Sequence, residues 1–455
     1  MLLLMDWELT ALGILEINLI KLETKMKNLK RILTLSILLV LVVEYSNAQE
    51  IVLNKYKFGE GLGFSGKDNN YKMEISGYLQ PYTESKKYLD NDDATSYNRM
   101  RMRRARLQFS GSSKKEKISY RLQFDLTGGD ESDTPVGSLV YDAWIGYDLT
   151  KRIKLTFGQK ATSTDNRELG MRSSTLQLVE RSPVSAAFAS VREFGFFAES
   201  TYKVSKQSYI KPEFAITNGD GLNVFGKDHG GLKYGGRIDY LPFGLFNNFG
   251  QYRQADLERE LTPKFVIGAN YSYNVGISDR RGSQSGTILY LDNQNNELLP
   301  DYLKYGIDFL FKYRGFSLLG EYVNASARVP SGITKYIRDN GSIDTFVLDV
   351  DVKSRMMLGN GYNIQGGYVF KNLFSIDGRF SYLQPETYSY LNNARYYNRS
   401  HFYSLGITKY LARNYGAKIQ LDCTYINAKS GSLDINKKPI AGNEFITRLI
   451  TTISF

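Results

Sequence analysis

The sequence is poor in the residues that build disulfides and metal centres. It has one cysteine, Cys423, which excludes an internal disulfide and any metal site built from several thiolates. Its two histidines, His229 and His401, are too few for a histidine-rich metal centre. We therefore expect neither a metal site nor a cofactor.

The sequence also lacks an apolar stretch long enough to cross a bilayer as a helix. The longest mostly apolar run, Ile32–Val43, falls short of the ~20 residues that such a helix needs. The mean hydropathy of −0.35 indicates the same. A polytopic helical membrane protein is therefore excluded, although the 455-residue chain is long enough for one large barrel.

The N-terminal part of the chain has the organisation of an export signal. The basic segment Lys27–Arg31 precedes the apolar run, and small residues precede a cleavage point after Ala48. We predict a signal peptide over residues 26–48. Residues 1–25 are interpreted as an upstream extension from a misassigned start codon, so the initiator would be residue 26. The alternative is an ordinary N-terminal helix.

Aromatic residues are abundant and fall into an alternating pattern. The chain has 34 Tyr, 25 Phe and 2 Trp. In Lys304–Tyr313, for example, Tyr305, Ile307 and Phe309 alternate with polar residues or glycine, which is typical of a strand with one apolar face. Sixteen such segments of about 9–13 residues follow residue 71, close to the length of a tilted transmembrane strand. A soluble sandwich would also alternate, but its strands are shorter.

The connections between these strands alternate between short and long. Thr150–Arg152 and Arg314–Gly315 are short, whereas Ile277–Pro300 and Arg328–Asn360 are long. Pro242–Pro263 breaks the rule, because it is long yet falls on the short side. The fold class predicted is all-β, a transmembrane antiparallel up-and-down β-barrel of about 16 strands with long external loops and short periplasmic turns.

The predicted domain organisation follows from these patterns. Residues 49–71 form a periplasmic lead-in, and residues 72–455 form the barrel. The last strand ends at Phe455, which we interpret as the signal read by the barrel-assembly machinery.

A set of short motifs, in order, resembles the phosphate-selective porin O and P family. The matching stretches are Arg103–Leu107, Tyr141–Ile145, Phe157–Lys160, Glu180–Ser182, Arg192–Gly195, Thr217–Gly221 and Pro263–Gly268. The resemblance implies a trimeric sixteen-stranded outer-membrane barrel that passes anions, with one loop folded inward as the constriction. Family members line the pore with dense basic residues, and an equally dense ladder is not evident in this sequence.

Strand alternation assigns charged residues to the inner face of the barrel. The basic residues so assigned are Arg104, Arg106, Lys117, Arg121, Lys154, Lys160, Lys233, Arg237, Lys304, Lys312, Arg379, Lys418 and Arg448. Of these, the pore-lining candidates are Arg104, Arg106, Arg121, Lys160, Arg237 and Arg379. All the basic residues assigned to the inner face together exceed the inner acidic residues only mildly. The alternative is that they pair across neighbouring strands and merely solvate the lumen.

Two further groups of arginines are candidates for other positions. The loop Ala161–Ser190 carries Arg167, Arg172 and Arg181, which we predict to lie at a constriction; the alternative is a plain surface loop. Alternation assigns Arg99, Arg101 and Arg103 to the outer face near the external rim, where they could bind lipopolysaccharide phosphates.

The sequence thus predicts a porin for passive diffusion of small hydrophilic solutes, with a preference for anions that could include phosphate or polyphosphate. We expect it in the outer membrane of a Gram-negative bacterium, as a homotrimer in contact with lipid and lipopolysaccharide. Two alternatives stay open: a barrel-based enzyme, which would place a histidine beside a serine and an acid, and an adhesin or receptor that acts through the external loops. Nucleic-acid binding is a poor interpretation of the net charge of +11, because the basic residues are spread out and the chain is exported.

Overall fold

The structure is a computed structural model. It describes residues 51–53, 58–66, 68–90, 96–127, 139–162, 164–190, 192–222, 229–277, 288–338, 341–345, 347–392, 399–428, 432–433, 439–440 and 442–455. The chain divides into two compact units: residues 1–52 with 65–69, and residues 53–64 with 70–455. The predicted signal peptide and upstream extension lie outside the described residues, and the domain boundaries stay a prediction.

The larger unit is a closed antiparallel barrel, and the described residues contain sixteen barrel strands. They are β1 (Tyr71–Tyr88), β2 (Tyr97–Ser113), β3 (Ile118–Asp125), β4 (Val140–Asp148), β5 (Ile153–Lys160), β6 (Glu193–Ser200), β7 (Tyr209–Thr217), β8 (Lys233–Leu241), β9 (Lys264–Asn274), β10 (Asp301–Tyr313), β11 (Phe316–Arg328), β12 (Gly359–Val369), β13 (Phe374–Pro385), β14 (Arg399–Tyr410), β15 (Ala417–Ala428) and β16 (Glu444–Ser454). Each strand pairs with the next, which confirms the predicted fold class and strand number.

The barrel closes where β16 pairs with β1. The register joins Glu444 to Tyr88 at one end and Ser454 to Tyr78 at the other. Beyond it, the amide of Gly77 donates to the carbonyl of Phe455 at 2.8 Å, and the amide of Phe455 donates back at 3.0 Å. A Cβ on Gly77 would lie 2.7 Å from the Phe455 ring, so glycine is needed where this ring crosses β1.

Alternation along the strands separates an apolar outer face from a polar inner face. In β10, the outward Tyr305 and Ile307 are 47% and 54% exposed, whereas the inward Lys304 and Asp308 are 2% and 1% exposed. The same pattern recurs around the barrel, so the exposed large side chains are mostly apolar or aromatic. An apolar outer band with an inner polar face is the pattern of an outer-membrane barrel.

The connections have the predicted asymmetry. At one end, the turns are short, and the shortest is Arg314-Gly315, where φ is 48° and 98°. Positive φ at both central residues is the requirement of a type I′ hairpin turn. At the other end, the connections are long and include residues 161–192 and 329–358. The exception, Pro242–Pro263, lies between β8 and β9 and is folded, as described below.

Short elements lie before β1 and in the connections between the barrel strands. The helices are α1 (Arg167–Gly170), α2 (Pro183–Phe188) and α3 (Asp349–Lys353), with 3₁₀ turns at Ser173–Thr175, Asn247–Tyr252 and Tyr390–Asn392. Short strands are Ile51–Leu53, Leu62–Gly66, Tyr202–Lys203, Ile288–Leu291, Lys335–Arg338, Ile343–Asp344, Ser432–Leu433 and Pro439–Ile440. Among the described residues, we find no helix with the length and apolar character to traverse a membrane.

The main apolar core forms where the loop 161–190 meets the outer ends of the strands and two long loops. Val184, Ala187 and Phe188 of α2 belong to it, together with Val323 of β11 and Met356 of the 329–358 connection. The loop 161–190 is therefore packed inside the barrel and is not a surface loop.

Candidate functional site

The loop 161–190, hereafter the inner loop, lies against the barrel wall along its whole course. Its residues from Asp165 to Leu169 and from Ser173 to Val179 are buried. Ser182 caps α2, since its hydroxyl accepts the amide of Ser185 at 3.1 Å. Gly406 on β14 makes room for it, because a Cβ there would lie 2.5 Å from a methyl of Leu178. The cap at Ser182 and the space beside Gly406 therefore both contribute to the path of the inner loop along the barrel wall.

One end of the inner loop is anchored by a square of charges. Arg167 donates from Nε to Asp308 at 2.8 Å and from its second terminal nitrogen to Asp239 at 2.9 Å. Arg237 on β8 bridges the same two carboxylates at 2.6 Å and 2.8 Å. All four side chains are 3% exposed or less. Burial alone would lower the pKa of Arg167, but the two carboxylates outweigh burial and raise it.

The middle of the inner loop is held by amide and backbone contacts. The Gln177 side chain donates to Ser317 at 2.7 Å and to Asp377 at 2.9 Å, and it accepts from Gln365 at 2.9 Å. The amide of Val179 donates to Asp422 at 2.9 Å. These partners lie on four different strands, β11, β12, β13 and β15, so the loop spans a large part of the inner wall.

The far end of the inner loop meets a pair of arginines. Arg103 Nε donates to Glu180 at 2.6 Å, and Arg104 donates to the other oxygen at 3.2 Å. Arg379 on β13 donates to the Glu180 carbonyl at 2.8 Å. Burial raises the pKa of Glu180, but the charges of Arg103 and Arg104 outweigh burial and hold it well below its usual range.

A β-bulge places both arginines on the inner side. The register of β1 and β2 shifts between Gln80, opposite Arg104, and Pro81, opposite Met102, so Arg103 is the extra residue. An extra residue inverts the facing of every residue beyond it. The buried Glu84 and Tyr82 therefore face Arg99 and Arg101.

The predicted outward position of Arg99, Arg101 and Arg103 is wrong for this reason. Arg99 contacts the buried Glu84 at 2.7 Å, and Met100 is 82% exposed on the outer face instead. The sequence carries the signal: the run Arg99–Arg106 places Met, Met and Ala between arginines, with a doubled arginine where the phase changes.

The remaining pore-lining candidates lie on the inner side in different environments. Arg104 and Arg106 are 1% and 4% exposed; Arg106 pairs with Asp125 at 3.1 Å and stacks 3.7 Å from the Tyr141 ring. The side chain of Arg121 is 30% exposed and 3.9 Å from Asp142. Lys160 pairs with Glu199. Arg237 belongs to the charge square described above, where it pairs with Asp239 and Asp308.

The constriction-loop candidates differ in the same way. Arg167 is buried in the anchor, and Arg181 donates to the carbonyls of Glu168 and Met171 at 2.7 and 2.9 Å. Arg172 is exposed, and its positive charge acts on Arg121 of β3. Their role in permeation stays a prediction.

Two other inward-facing lysines donate hydrogen bonds to backbone carbonyls of segments that enter the barrel. Lys418 Nζ donates to the Leu176 carbonyl of the inner loop at 2.6 Å. Lys312 Nζ donates to the carbonyls of Gly250 and Ala255 at 2.9 and 2.8 Å. Both lysines are at most 1% exposed. The structure thus gives these two lysines a third role, which is neither lining the pore nor pairing with a charge on a neighbouring strand: they bind backbone that enters the barrel.

The segment 242–263, hereafter the inner turn, is an element that the alternation pattern did not reveal. Its Gln254 is 1% exposed, donates to Glu168 at 2.8 Å and accepts the amide of Gln177 at 2.7 Å. The carbonyl of Ala255 accepts the Tyr415 hydroxyl at 2.7 Å. The inner turn thus enters the barrel from the end with the short turns, and its Gln254 is hydrogen-bonded to the inner loop there.

A basic cavity of about 340 Å³ opens beside Glu180. Its lining brings together eight basic and two acidic side chains: Lys86, Arg103, Arg104, Arg181, Arg192, Arg379, Arg399 and Arg448, with Glu180 and Glu444. These residues come from β1, β2, the inner loop, the position just before β6, and the strands β13, β14 and β16, which are far apart in the sequence. The cavity is the dense basic cluster that the sequence pattern alone did not show.

The two histidines occupy separate environments. His401 shares a hydrogen bond of 2.7 Å with the adjacent Ser400, and its ring lies 4.8 Å from that of Tyr382. His229 lies 3.2 Å from the Glu297 carboxylate. In the described part of the chain, neither histidine contacts both a serine and an acid, and no group of three or more His, Cys, Asp and Glu residues could hold a metal ion.

The chain is similar to one porin family and, at low identity, to several solved outer-membrane proteins. A family model described as phosphate-selective porin O and P matches residues 82–323. No curated protein matches the chain. Similar solved structures include the outer membrane channel DcaP of Acinetobacter baumannii, at 12% identity over 86% of this chain and 99% of that one with a TM-score of 0.48. Others are OprB of Pseudomonas putida (12%, 85% and 95%, 0.48) and OmpT of Vibrio cholerae (9%, 89% and 100%, 0.46).

Proposed function

The chain belongs to the phosphate-selective porin O and P family, and from this premise we propose that it is a channel with a modest preference for anions. It is a porin of the Gram-negative outer membrane. Small hydrophilic anions, inorganic phosphate among them, would diffuse passively through the space left between the inner loop and the wall.

The observation that carries the anion preference is the basic cavity. Eight basic side chains against two acidic ones produce a positive potential on its surface. A positive potential in a narrow, partly dry passage lowers the barrier for anions and raises it for cations. Arginine forks also suit the oxygens of phosphate, since each guanidinium can donate two parallel hydrogen bonds.

Internal pairing keeps the preference modest. Glu180 already neutralises part of the charge of Arg103 and Arg104, and Arg448 pairs with Glu84 at 2.7 Å. The exposed Arg172 and the partly exposed Arg121 retain more of their effect on a passing ion than the buried arginines do. We assign a part of the steering of ions to these two residues, which act in addition to the basic cavity because they lie outside its lining.

Assembly partners complete the proposal. We propose a homotrimer in lipid and lipopolysaccharide, inserted by the barrel-assembly machinery through the strand that ends at Phe455. Truncation of Phe455 should reduce the amount of barrel in the outer membrane, and cross-linking of membrane fractions should show a species of three subunits.

The anion preference is tested by reversal potentials in planar bilayers. Under a KCl gradient, the purified channel should show a potential of the sign that chloride permeation produces, and the potential should grow as the salt is diluted. Replacement of chloride by inorganic phosphate should leave a measurable anion current. A potential of the cation sign at low salt would refute the proposal.

A further inference from the structure

The basic cavity has a second wall that is apolar. Leu383, Phe402, Ile426 and Ile446 lie on the four adjacent strands β13–β16, face inward and are 2–8% exposed. Phe402 pairs directly with Ile426 in the register of β14 and β15. The inner face of a porin barrel is generally polar, so four apolar side chains in one row are unusual.

Packing of the inner loop explains only part of this row. The four residues share an apolar core with Val184, Ala187 and Phe188 of α2. They also line the cavity together with Pro183 and the exposed Ala186 of the same helix. An apolar surface therefore remains open to the cavity after the helix is packed.

Charged groups border this apolar surface directly. Lys86 lies opposite Ile446 in the register of β1 and β16. Arg379 reaches the cavity from β13; it is 7% exposed, and its Nε has no hydrogen-bond partner in the described part of the chain. One cavity thus offers donors for an anionic group on one side and an apolar surface on the other.

We propose that this cavity binds organic anions that join a carboxylate to an apolar body of about the size of an aromatic ring. The proposal rests on the proposed function, since such anions would be permeant solutes of the same channel. An apolar cavity of ~150 Å³ holds a benzene molecule, so about 340 Å³ accommodates a ring and a carboxylate with some water. The apolar wall favours such solutes over acetate or inorganic phosphate, which cannot use it.

The test compares anions as blockers of the chloride current through the wild-type channel in planar bilayers. Benzoate should halve the current at a concentration about tenfold lower than acetate, because its additional carbons contact the apolar wall. Inorganic phosphate should behave like acetate or worse in this comparison. The wild-type comparison needs no variant, so it remains decisive if a variant fails to insert.

Two substitutions locate the effect. Ile426→Thr and Ile446→Thr keep a β-branched side chain but remove part of the apolar wall. Each exchange removes one carbon and replaces another with a hydroxyl, so it should raise the half-blocking concentration of benzoate at least about fourfold, the fold-change that one buried methylene is worth, and leave that of acetate unchanged. The matched control is Val323→Thr, in the same apolar core but not in the cavity lining; it should change neither value.

The outcomes separate this inference from the proposed function. Equal block by benzoate and acetate in the wild-type channel overturns the inference, and so does a change in both values in Ile426→Thr and Ile446→Thr. The reversal potential in the same bilayers tests the anion preference independently. A channel that prefers chloride but does not distinguish benzoate from acetate refutes only the inference.

Discussion

Two arginines of the inner loop, five residues apart, should have opposite effects when neutralised. Arg167 is buried in the charge square with Asp239 and Asp308, whereas Arg172 is exposed. Arg167→Met should loosen the loop without a direct effect on selectivity. Arg172→Met should change selectivity without loosening the loop.

The magnitude for Arg167 follows from what its removal leaves behind. Asp239 and Asp308, each at most 2% exposed, would share a single arginine, so the square would carry one uncompensated negative charge. Removal of one partner from such a buried pair costs about 3–5 kcal/mol. This cost falls on the attachment of the loop, because the strand pairing of the barrel does not depend on Arg167.

The magnitude for Arg172 follows from Coulomb's law in water. One unit charge acting on an ion about 6 Å away contributes about 0.7 kcal/mol, which screening reduces to about 0.3 at 0.15 M salt and about 0.6 at 0.01 M. The barriers for anion and cation move in opposite directions. The ratio of chloride to potassium permeability should therefore fall about threefold at 0.15 M salt and about sevenfold at 0.01 M.

Single-channel recording distinguishes the two variants. Arg167→Met should show larger open-channel noise and altered conductance, with a heat-modifiable barrel as in the wild type. Arg172→Met should show normal noise and the shifted reversal potential. If the open-channel noise of Arg167→Met equals that of the wild type, and Arg172→Met leaves the reversal potential unchanged at 0.01 M salt, the assignment of Arg167 as anchor and Arg172 as steering residue is refuted.

Four further predictions concern other parts of the chain. Gly406→Val should displace the inner loop and raise the conductance, as single-channel recording will show; an unchanged conductance would mean that the loop does not touch β14. A cysteine in place of Arg101 should react with a water-soluble thiol reagent, and a cysteine in place of Met100 should react only with a lipid-soluble reagent. The reverse result would contradict the bulge at Arg103, because it would exchange the faces of the two positions. Because the pKa of Glu180 is lowered by folding, the stability it provides is present above about pH 4.3 and is lost only in stronger acid. The difference in unfolding free energy between wild type and Glu180→Gln should then stay constant from about pH 7 to about pH 5.5 and decline in stronger acid, and a decline above about pH 5.5 would contradict the pairing. Intact-mass analysis of outer-membrane material should give Gln49 as the mature N-terminus, and a retained segment before residue 26 would disprove the signal peptide.

The fold was predictable because its signal is local. A strand with one face in lipid must alternate, and the sixteen alternating segments correspond to the sixteen barrel strands. The type I′ turn at Arg314-Gly315 is readable for the same reason: the chain there carries a glycine between two aromatic strands. Local rules of this kind do not depend on what the rest of the chain does.

The site was less predictable because its contacts join distant segments. Lys418 faces inward, as alternation predicts, but only the position of Leu176 shows that it binds backbone. The bulge at Arg103 reverses the alternation of inward and outward residues within β2. The alternation rule is valid, but without knowledge of the bulge it assigned Arg99 and Arg101 to the outer face. The apolar inner row at Leu383 and Ile446 was missed for the same reason, because these residues pack against helix α2, which lies about 200–260 residues earlier in the chain.

The seam between β1 and β16 has a consequence for how the barrel forms. Glu84 and Arg448 meet across it although they are separated by 364 residues, and closing a loop of that length costs about 5 kcal/mol of chain entropy. Local hairpins such as β10–β11 form at far lower cost, so they should precede the seam in time. Until the seam closes, β1 presents a long unpaired edge to any other strand nearby. The slow step of biogenesis is then the final joining of the two edge strands, and the edge of β1 is the part of the nascent barrel that most needs protection.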